Sequence, residues 1–139
     1  MRILDRLQPL ALLVLRVALG AIMAWHGYGK VFGGMSKHVS LVASLGLPGW
    51  WAYFSAAAEF GGGILVLVGL LTRYASVAIF INMFVAIWKV HWKNGLPGPG
   101  GYEFPLACAA IAFALIFFGS GPIALDWVFF RGGGGPKDK

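Results

Sequence analysis

The sequence predicts an all-α integral membrane protein, an antiparallel bundle of four transmembrane helices followed by a short interfacial segment near the C-terminus. Of its 139 residues, 59% are hydrophobic and 12% are charged, and the mean hydropathy is +0.79. A water-soluble domain carries about 25% charged residues, so most of this surface must face something other than water. The composition excludes a soluble globular enzyme, a disordered tail and a secreted disulfide scaffold.

Four apolar stretches approach the roughly 20 residues that a helix needs to cross the hydrocarbon core. The predicted spans are Pro9 to Lys30, Trp51 to Leu71, Tyr74 to Trp92, and Phe104 to about Gly119. We assign residues 1–131 to a single membrane domain. Residues 132–139 are low in complexity and are predicted to form a flexible tail.

The links between the spans set which helices are neighbours. Only Thr72 and Arg73 separate the second span from the third, which predicts a tight antiparallel hairpin. The longer links, 31–50 and 94–101, contain glycine–proline turn signals and are interpreted as loops. The short aromatic segment 123–131 extends the fourth helix beyond a kink or lies in the membrane interface.

The basic residues favour one orientation. Six lie at the N-terminus, in the hairpin and in the tail, against four at the other ends of the spans. Positive charge concentrates on the cytoplasmic side, so both termini are predicted in the cytoplasm, in a bacterial cytoplasmic membrane. Five tryptophans fall at the opposite ends, where an interfacial belt is expected: Trp25, Trp50, Trp51, Trp88 and Trp92.

Ionisable side chains inside the spans are candidate functional residues, because each costs roughly 2.5 to 3.5 kcal/mol to insert. Combining spans of opposite direction brings six of them to one depth in the outer half: His26, Lys30, Glu59, Lys89, His91 and Glu103. A second group, Arg16, Arg73 and Asp126, lies at the inner end. We interpret that second group as a structural network that closes the cytoplasmic end.

Helical spacing indicates how these residues face one another. The series Arg16, Gly20, Met23, Gly27 and Lys30 follows one helix face, and the series Ser55, Glu59, Gly62, Val66 and Gly69 does the same on the second span. Small residues on such faces let helices approach closely and place polar groups between them. Two alternatives stay open: Lys30 snorkels to the headgroups, or Glu59 forms a purely structural ion pair with a lysine.

The outer group suits a quinone headgroup, whose carbonyls accept hydrogen bonds from histidine or lysine while a buried carboxylate relays a proton. We predict Glu59, His26 and His91 as the catalytic residues. Predicted ligand-binding residues are Lys30, Lys89, Glu103, Trp25 and Trp88. A small sulfur oxyanion would use the same cations. His38 is interpreted as a loop residue and Asn82 as a contact between helices.

No metal site and no covalently bound cofactor are predicted, because no ligand pair has the H-x-x-x-H spacing typical of a helical metal site. A haem held by His26 and His91 is a weaker alternative, since both lie near a helix end where a pocket is shallow.

An ordered set of motifs resembles the DoxX family of small four-helix membrane proteins. The set is Arg16-x3-Gly20-x5-His26-Gly27-x2-Lys30, Glu59-Phe60-Gly61-Gly62, Gly69-Leu70-Leu71-Thr72-Arg73, Ala86-x4-His91, Glu103, and Gly119-x-Gly121-Pro122-x2-Leu125-Asp126. Some members of this family and of the related DoxD family are linked to thiosulfate:quinone oxidoreductase or terminal quinol oxidase complexes. The resemblance therefore implies a membrane subunit of an oxidoreductase complex, with a quinone as its cofactor. Ala124 departs from the family pattern, in which a small hydroxyl residue often precedes the Leu-Asp pair.

Three functions follow as hypotheses. The first is an oxidoreductase subunit, which is not expected to act alone. The second is a non-catalytic membrane partner or assembly factor, and the third is a conduit for small solutes or protons. The expected partners are membrane lipids, other subunits of an electron-transfer complex or a second copy of the chain, and not nucleic acid.

Overall fold

A computed structural model describes residues 1–131, and the predicted flexible tail, 132–139, lies outside the described residues. Within residues 1–131 every regular element is helical and there is no strand. The α-helices are α1 (Arg2–Asp5), α2 (Gln8–Gly29), α3 (Met35–Ser44), α4 (Trp50–Val68), α5 (Thr72–Ala86) and α6 (Glu103–Phe118). The prediction of an all-α protein is confirmed.

Three helical segments are long and apolar enough to cross a membrane: Gln8–Ser44, Trp50–Val68 and Thr72–Asn94. The fourth predicted span corresponds to α6, which is apolar but has only 16 residues. Large apolar side chains are exposed around the outside of these helices, among them Val14, Ile64, Phe84 and Phe117. A surface of this kind suits contact with lipid rather than with water.

Helices α2 and α4 run antiparallel along a closely packed seam. Arg16, near the start of α2, contacts Val66 and Leu67 near the end of α4, and Lys30 contacts Glu59. The predicted stripes are buried on both helices except at Lys30, which is half-buried, and a methyl group added at Gly63 would overlap the backbone of α2 at Ala24. On α2 the predicted stripe supplies the small residues of this contact, Gly20 and Gly27. On α4 the glycine against α2 is Gly63, next to the predicted stripe, whereas Gly62 of the stripe faces Ile79 of α5.

A tight reversal joins α4 to α5, as predicted, but α4 ends three residues earlier and α5 begins two residues earlier than the predicted spans. Gly69 takes a left-handed conformation with φ +75°, and its N–H donates to the Leu65 carbonyl at 2.9 Å. The backbone of Leu71 is in a left-handed conformation too, and α5 begins at the next residue. Thr72 and Arg73 therefore belong to α5 and not to the turn. Hydropathy placed the end of the span too late because the residues of the turn, Leu70 and Leu71, are themselves apolar.

Helix α5 packs against α4 on one side and α6 on the other. The apolar core lies among these helices and α2, with Leu19, Ile79 and Leu115 fully buried. Beyond α5 the chain continues through a wider turn, Ile87–His91, and a short 3₁₀ helix, Trp92–Asn94. This continuation matches the predicted third span.

The prediction of a loop over residues 31–50 is wrong. The chain bends at Phe32 and at Gly33, whose φ is +135°. It then forms α3, which packs against α4 and buries Val42. A helix of ten residues is too short to produce the length signal of a membrane span, so a search for spans passes over it.

Candidate functional site

A cavity of about 530 Å³ lies at the end of the molecule where α2 ends and α4 and α6 begin. Its walls come from α2, α3, α4, α5 and α6. All six residues of the predicted outer group line it: His26, Lys30, Glu59, Lys89, His91 and Glu103. The structure therefore brings together side chains that are up to 77 positions apart in the sequence.

Glu59 is the most buried ionisable residue of this cavity, with only 5% of its surface exposed. Its Oε1 accepts hydrogen bonds from Lys30 Nζ at 2.7 Å and from Asn82 Nδ2 at 2.9 Å. Its Oε2 is buried too, and accepts no hydrogen bond from any residue in the described part of the chain. The carboxylate thus presents one occupied oxygen and one with its acceptor capacity unused.

Three helices meet at this carboxylate. Lys30 directly follows the last residue of α2, Glu59 lies on the facing stripe of α4, and Asn82 comes from α5. Among the side chains of residues 1–130 the Lys30–Glu59 pair is the only salt bridge. Lys30 therefore points inward rather than snorkelling to the headgroups, and Asn82 makes the contact between helices that its position in the span predicts.

The cavity contains three histidines. His91 Nδ1 lies 2.8 Å from the carbonyl oxygen of Gly100. A carbonyl can only accept, so Nδ1 carries the hydrogen, and in the neutral ring Nε2 is left as an acceptor. The His26 ring is exposed and lies 5.5 Å from the Phe104 ring.

His38 is the titratable residue of this cavity that the sequence analysis did not assign to the site. It comes from α3, and its Nε2 is buried without a hydrogen-bond partner among the described residues. The signal that could have revealed it is the helical spacing of His38, Val42 and Leu45, all of which line the cavity.

The remaining predicted ligand-binding residues lie at the edge of the cavity or outside it. Lys89 lines the cavity, but its Nζ lies 4.4 Å from the centroid of the Trp88 ring. Glu103 is exposed at the opening. Trp25 and Trp88 are 77% and 61% exposed and are not among the cavity-lining residues, whereas Trp51 is.

The inner group has a different pattern of contacts. Arg16 is 2% exposed and donates to four backbone carbonyls, those of Val66, Leu67, Ser120 and Ile123, at 2.6 to 3.1 Å. Asp126 accepts from the backbone N–H groups of Leu71 and Thr72 at 2.7 and 3.0 Å. Arg73 is exposed beside Gly119, and no salt bridge within residues 1–131 joins these three side chains.

A second cavity, of about 600 Å³, lies beside the inner group and includes Arg73 and Asp126 in its wall. Both oxygens of Asp126 already accept backbone hydrogen bonds, so this carboxylate has less unused capacity to accept hydrogen bonds than Glu59.

In the part of the chain that the structure describes, no three His, Cys, Asp or Glu side chains group closely enough to hold a metal ion. The outer cavity is therefore the better candidate for a functional site.

Sequence comparison identifies the family. The profile of the DoxX family matches residues 11–92, which form more than half of the chain. This chain belongs to the DoxX family. The match runs from the first turn of α2 through α5 and therefore includes both residues that donate hydrogen bonds to Glu59, Lys30 and Asn82.

Several relatives of this DoxX protein are known by name. A Bacillus subtilis (strain 168) protein named "Putative oxidoreductase CatD" is 38% identical over 120 residues, which cover 86% of this chain and 87% of the relative. "Inner membrane protein YqjF" of Escherichia coli (strain K12) is 30% identical over 84 residues, 60% of this chain and 62% of the relative. No solved structure matches the chain. This DoxX chain is accordingly a membrane protein, and one of its relatives is named as a putative oxidoreductase.

Proposed function

We propose that this DoxX protein is an antiparallel four-helix transmembrane bundle, formed by residues 1–131, and a subunit of a membrane oxidoreductase complex. Its outer cavity binds a quinone headgroup or a small sulfur oxyanion. The observation that carries the proposal is the convergence of five helices on one cavity with a buried carboxylate, an ammonium group and three histidines. The names of the Bacillus and Escherichia relatives support the oxidoreductase class and the inner membrane.

The size and lining of the cavity suit a small ligand. Sites for small molecules measure about 300 to 1,000 Å³ and combine an apolar wall with a few polar anchors. This cavity, of about 530 Å³, has apolar walls from residues such as Met23, Leu41 and Met83. Lys30, His26 and His91 supply contacts for the ligand, and Glu59 holds or releases the proton.

The proposed orientation follows from the basic residues. With both termini in the cytoplasm of a bacterial cell, the cavity lies close to the outer surface of the cytoplasmic membrane. A quinone would then reach it from within the bilayer, and a small oxyanion would reach it from the aqueous phase.

The proposal is tested by filling the cavity. Ala86 is a half-buried residue that lines it from α5, so Ala86→Phe places a ring in the ligand space. Ala57→Phe is the matched control, since Ala57 is exposed on α4 and is not among the cavity-lining residues. The purified protein is titrated with a short-chain benzoquinone and with thiosulfate, and quinones that co-purify with it are identified by mass spectrometry.

We expect wild type and Ala57→Phe to bind at least one of the two ligands, and Ala86→Phe to bind it at least tenfold more weakly. Equal binding by all three proteins would place the ligand elsewhere and defeat the proposal. Absence of binding in wild type would defeat it as well.

The second candidate is a non-catalytic membrane partner or assembly factor. It is favoured by the Lys30–Glu59 ion pair, which can fix the packing of α2 against α4 without any ligand. On this hypothesis neither wild type nor Ala86→Phe binds the benzoquinone or thiosulfate. An effect of the substitution would instead appear as a loss of the subunits that co-purify with the protein.

A further inference from the structure

The cavity of about 600 Å³ at the inner end of the molecule is not used by the proposed function. It lies between the first turn of α5 and the chain that follows α6. Its wall is largely apolar, and three of its large side chains, Tyr74, Phe118 and Phe130, are 78%, 71% and 68% exposed. Tyrosine and tryptophan, represented here by Tyr74 and Trp127, collect at the level of lipid headgroups. The cavity therefore opens to the surface that suits contact with lipid.

One charged side chain in this wall, Arg73, has no counter-charge. Its guanidinium lies beside the backbone of Gly119, where an added methyl group would be 3.1 Å from Nε. The guanidinium forms no salt bridge and no hydrogen bond with residues 1–130. A guanidinium is always charged, and its planar fork of donors matches the oxygens of a phosphate or carboxylate. Arg73 is therefore able to bind an anion that enters the cavity.

The carboxylate in the same wall does not neutralise Arg73. Both oxygens of Asp126 accept hydrogen bonds from backbone N–H groups at the start of α5, and its charge interacts with that of Arg16. Arg16 lies behind the wall, where its Nη1 donates to the carbonyl of Ser120 at 2.9 Å. The two arginines therefore face a single aspartate around this cavity, which leaves positive charge in excess.

The length of α6 places this cavity near the headgroups. In the four-span bundle proposed above, α6 has 16 residues and, at 1.5 Å per residue, a length of about 24 Å. The hydrocarbon core is about 30 Å thick, so α6 ends short of one membrane surface. A short span is accommodated by local thinning of the bilayer, which brings headgroups toward the end of the helix. Since Gly119 directly follows α6, the Arg73 guanidinium beside it lies at a depth that lipid phosphates reach.

We propose that the inner cavity binds an anionic phospholipid, with its phosphate on the Arg73 guanidinium and an acyl chain along the exposed rings of Phe118 and Phe130. Two parallel hydrogen bonds from a guanidinium to phosphate oxygens give this contact its geometry. The excess positive charge favours a lipid of net negative charge over a zwitterionic one. The apolar wall favours a lipid over free phosphate, because the acyl chain buries apolar surface against it. The inference rests on the four-span bundle of the proposed function but not on the ligand of the outer cavity.

The test is native mass spectrometry of the full chain in detergent, which resolves each bound lipid and measures its affinity. Wild type is titrated with phosphatidylglycerol and with a phosphatidylcholine of the same acyl chains, with and without inorganic phosphate. We expect phosphatidylglycerol to bind about fivefold more tightly than phosphatidylcholine, since one charge near a membrane surface is worth about that factor. Inorganic phosphate in about tenfold molar excess over the lipid is expected to leave the lipid bound, because phosphate brings no acyl chain.

Arg73→Gln is expected to weaken the binding of phosphatidylglycerol by about tenfold or more, because the charge-assisted hydrogen bonds to the phosphate are lost. Arg73→Lys keeps the charge without the planar fork of donors and should weaken binding by about threefold. Both variants are expected to fold, since the Arg73 side chain is exposed and forms no salt bridge with residues 1–130. Arg6→Gln is the matched control, because Arg6 is an exposed arginine near the start of α2 that is not among the cavity-lining residues.

Equal wild-type affinity for the two lipids would overturn the inference, as would equal losses in Arg73→Gln and Arg6→Gln or the absence of bound lipid. Displacement of the lipid by inorganic phosphate would assign Arg73 to a soluble phosphate compound and would overturn it too. None of these results bears on the ligand of the outer cavity, which Ala86→Phe tests separately, so the failure of one proposal is distinguishable from the failure of the other.

Discussion

The two polar groups of this DoxX protein both combine basic and acidic side chains, but they differ in how fully their hydrogen-bonding capacity is used. At the inner end, Arg16 donates to four carbonyls and Asp126 accepts from two backbone N–H groups. At the outer end, Glu59 has one oxygen in use and one without a donor among residues 1–131. The side chains of Arg16 and Asp126 in the inner group bond to backbone groups, whereas the outer group lines a cavity.

This difference separates structural charges from candidate functional ones. A buried charge whose hydrogen-bonding capacity is used by the backbone fixes the positions of chain segments and leaves little for a ligand. A buried charge beside empty space keeps part of its interaction energy available. Mutations at the inner end are therefore expected to act mainly on stability, and mutations at the outer end mainly on binding.

The largest expected effect is at Arg16. Arg16→Met removes the side-chain donor to the carbonyls of Val66, Leu67, Ser120 and Ile123, which should lower the free energy of unfolding by about 3 to 5 kcal/mol. Unfolding with a denaturing detergent in micelles, followed by circular dichroism, measures it. Arg6→Met, at an exposed arginine, should change stability by no more than about 0.5 kcal/mol. A stable Arg16→Met variant would remove the contrast between the two ends.

The seam between the two ends can be tested at adjacent glycines. Gly63→Ala forces a methyl group into the backbone of Ala24 and should cost about 1 to 3 kcal/mol. Gly61→Ala meets no atom within 4 Å and should be neutral or stabilise by up to about 1 kcal/mol, because alanine favours a helix. The same unfolding assay compares them, and equal losses would show that the close approach of α2 and α4 does not limit stability.

The smallest of these stability effects is expected at the outer pair. Lys30→Met leaves the Glu59 carboxylate without its cation and should cost about 1 to 2 kcal/mol. Adding Glu59→Gln should recover most of that loss, since no buried charge then lacks a partner. Lys93→Met, at an exposed lysine, is the control. A double variant less stable than Lys30→Met would mean that Glu59 stabilises the fold independently of Lys30.

Much of the site could be predicted because its signals are local. An ionisable residue inside an apolar span is conspicuous, and the three-and-four spacing of the stripes shows which faces of α2 and α4 meet. Antiparallel spans then place Lys30 near Glu59 without any knowledge of the loops. The position of Asn82 in the middle of a span indicated its contact with a neighbouring helix in the same way.

The sequence did not reveal the features that depend on the path of the chain between the spans. Helix α3 has no length signal of its own, so the contribution of His38 to the cavity could be seen only after Gly33 had turned the chain. Side-chain rotamers decided two further points: Lys89 lies over Trp88, and the exposed Trp25 does not line the cavity. Neither follows from spacing along a helix.

The bonds of Asp126 affect how the protein can be divided. Its side chain accepts from the first amides of α5, and its own N–H donates to the Gly69 carbonyl at 2.8 Å, so residues after α6 clasp the turn between α4 and α5. The segment that matches the family profile, 11–92, ends well before these C-terminal residues. A chain truncated after Phe118 would lose those bonds and the acceptors for Arg16 at Ser120 and Ile123. We therefore expect the residues after α6 to be needed for a stable fold, although they lie outside the segment that matches the family.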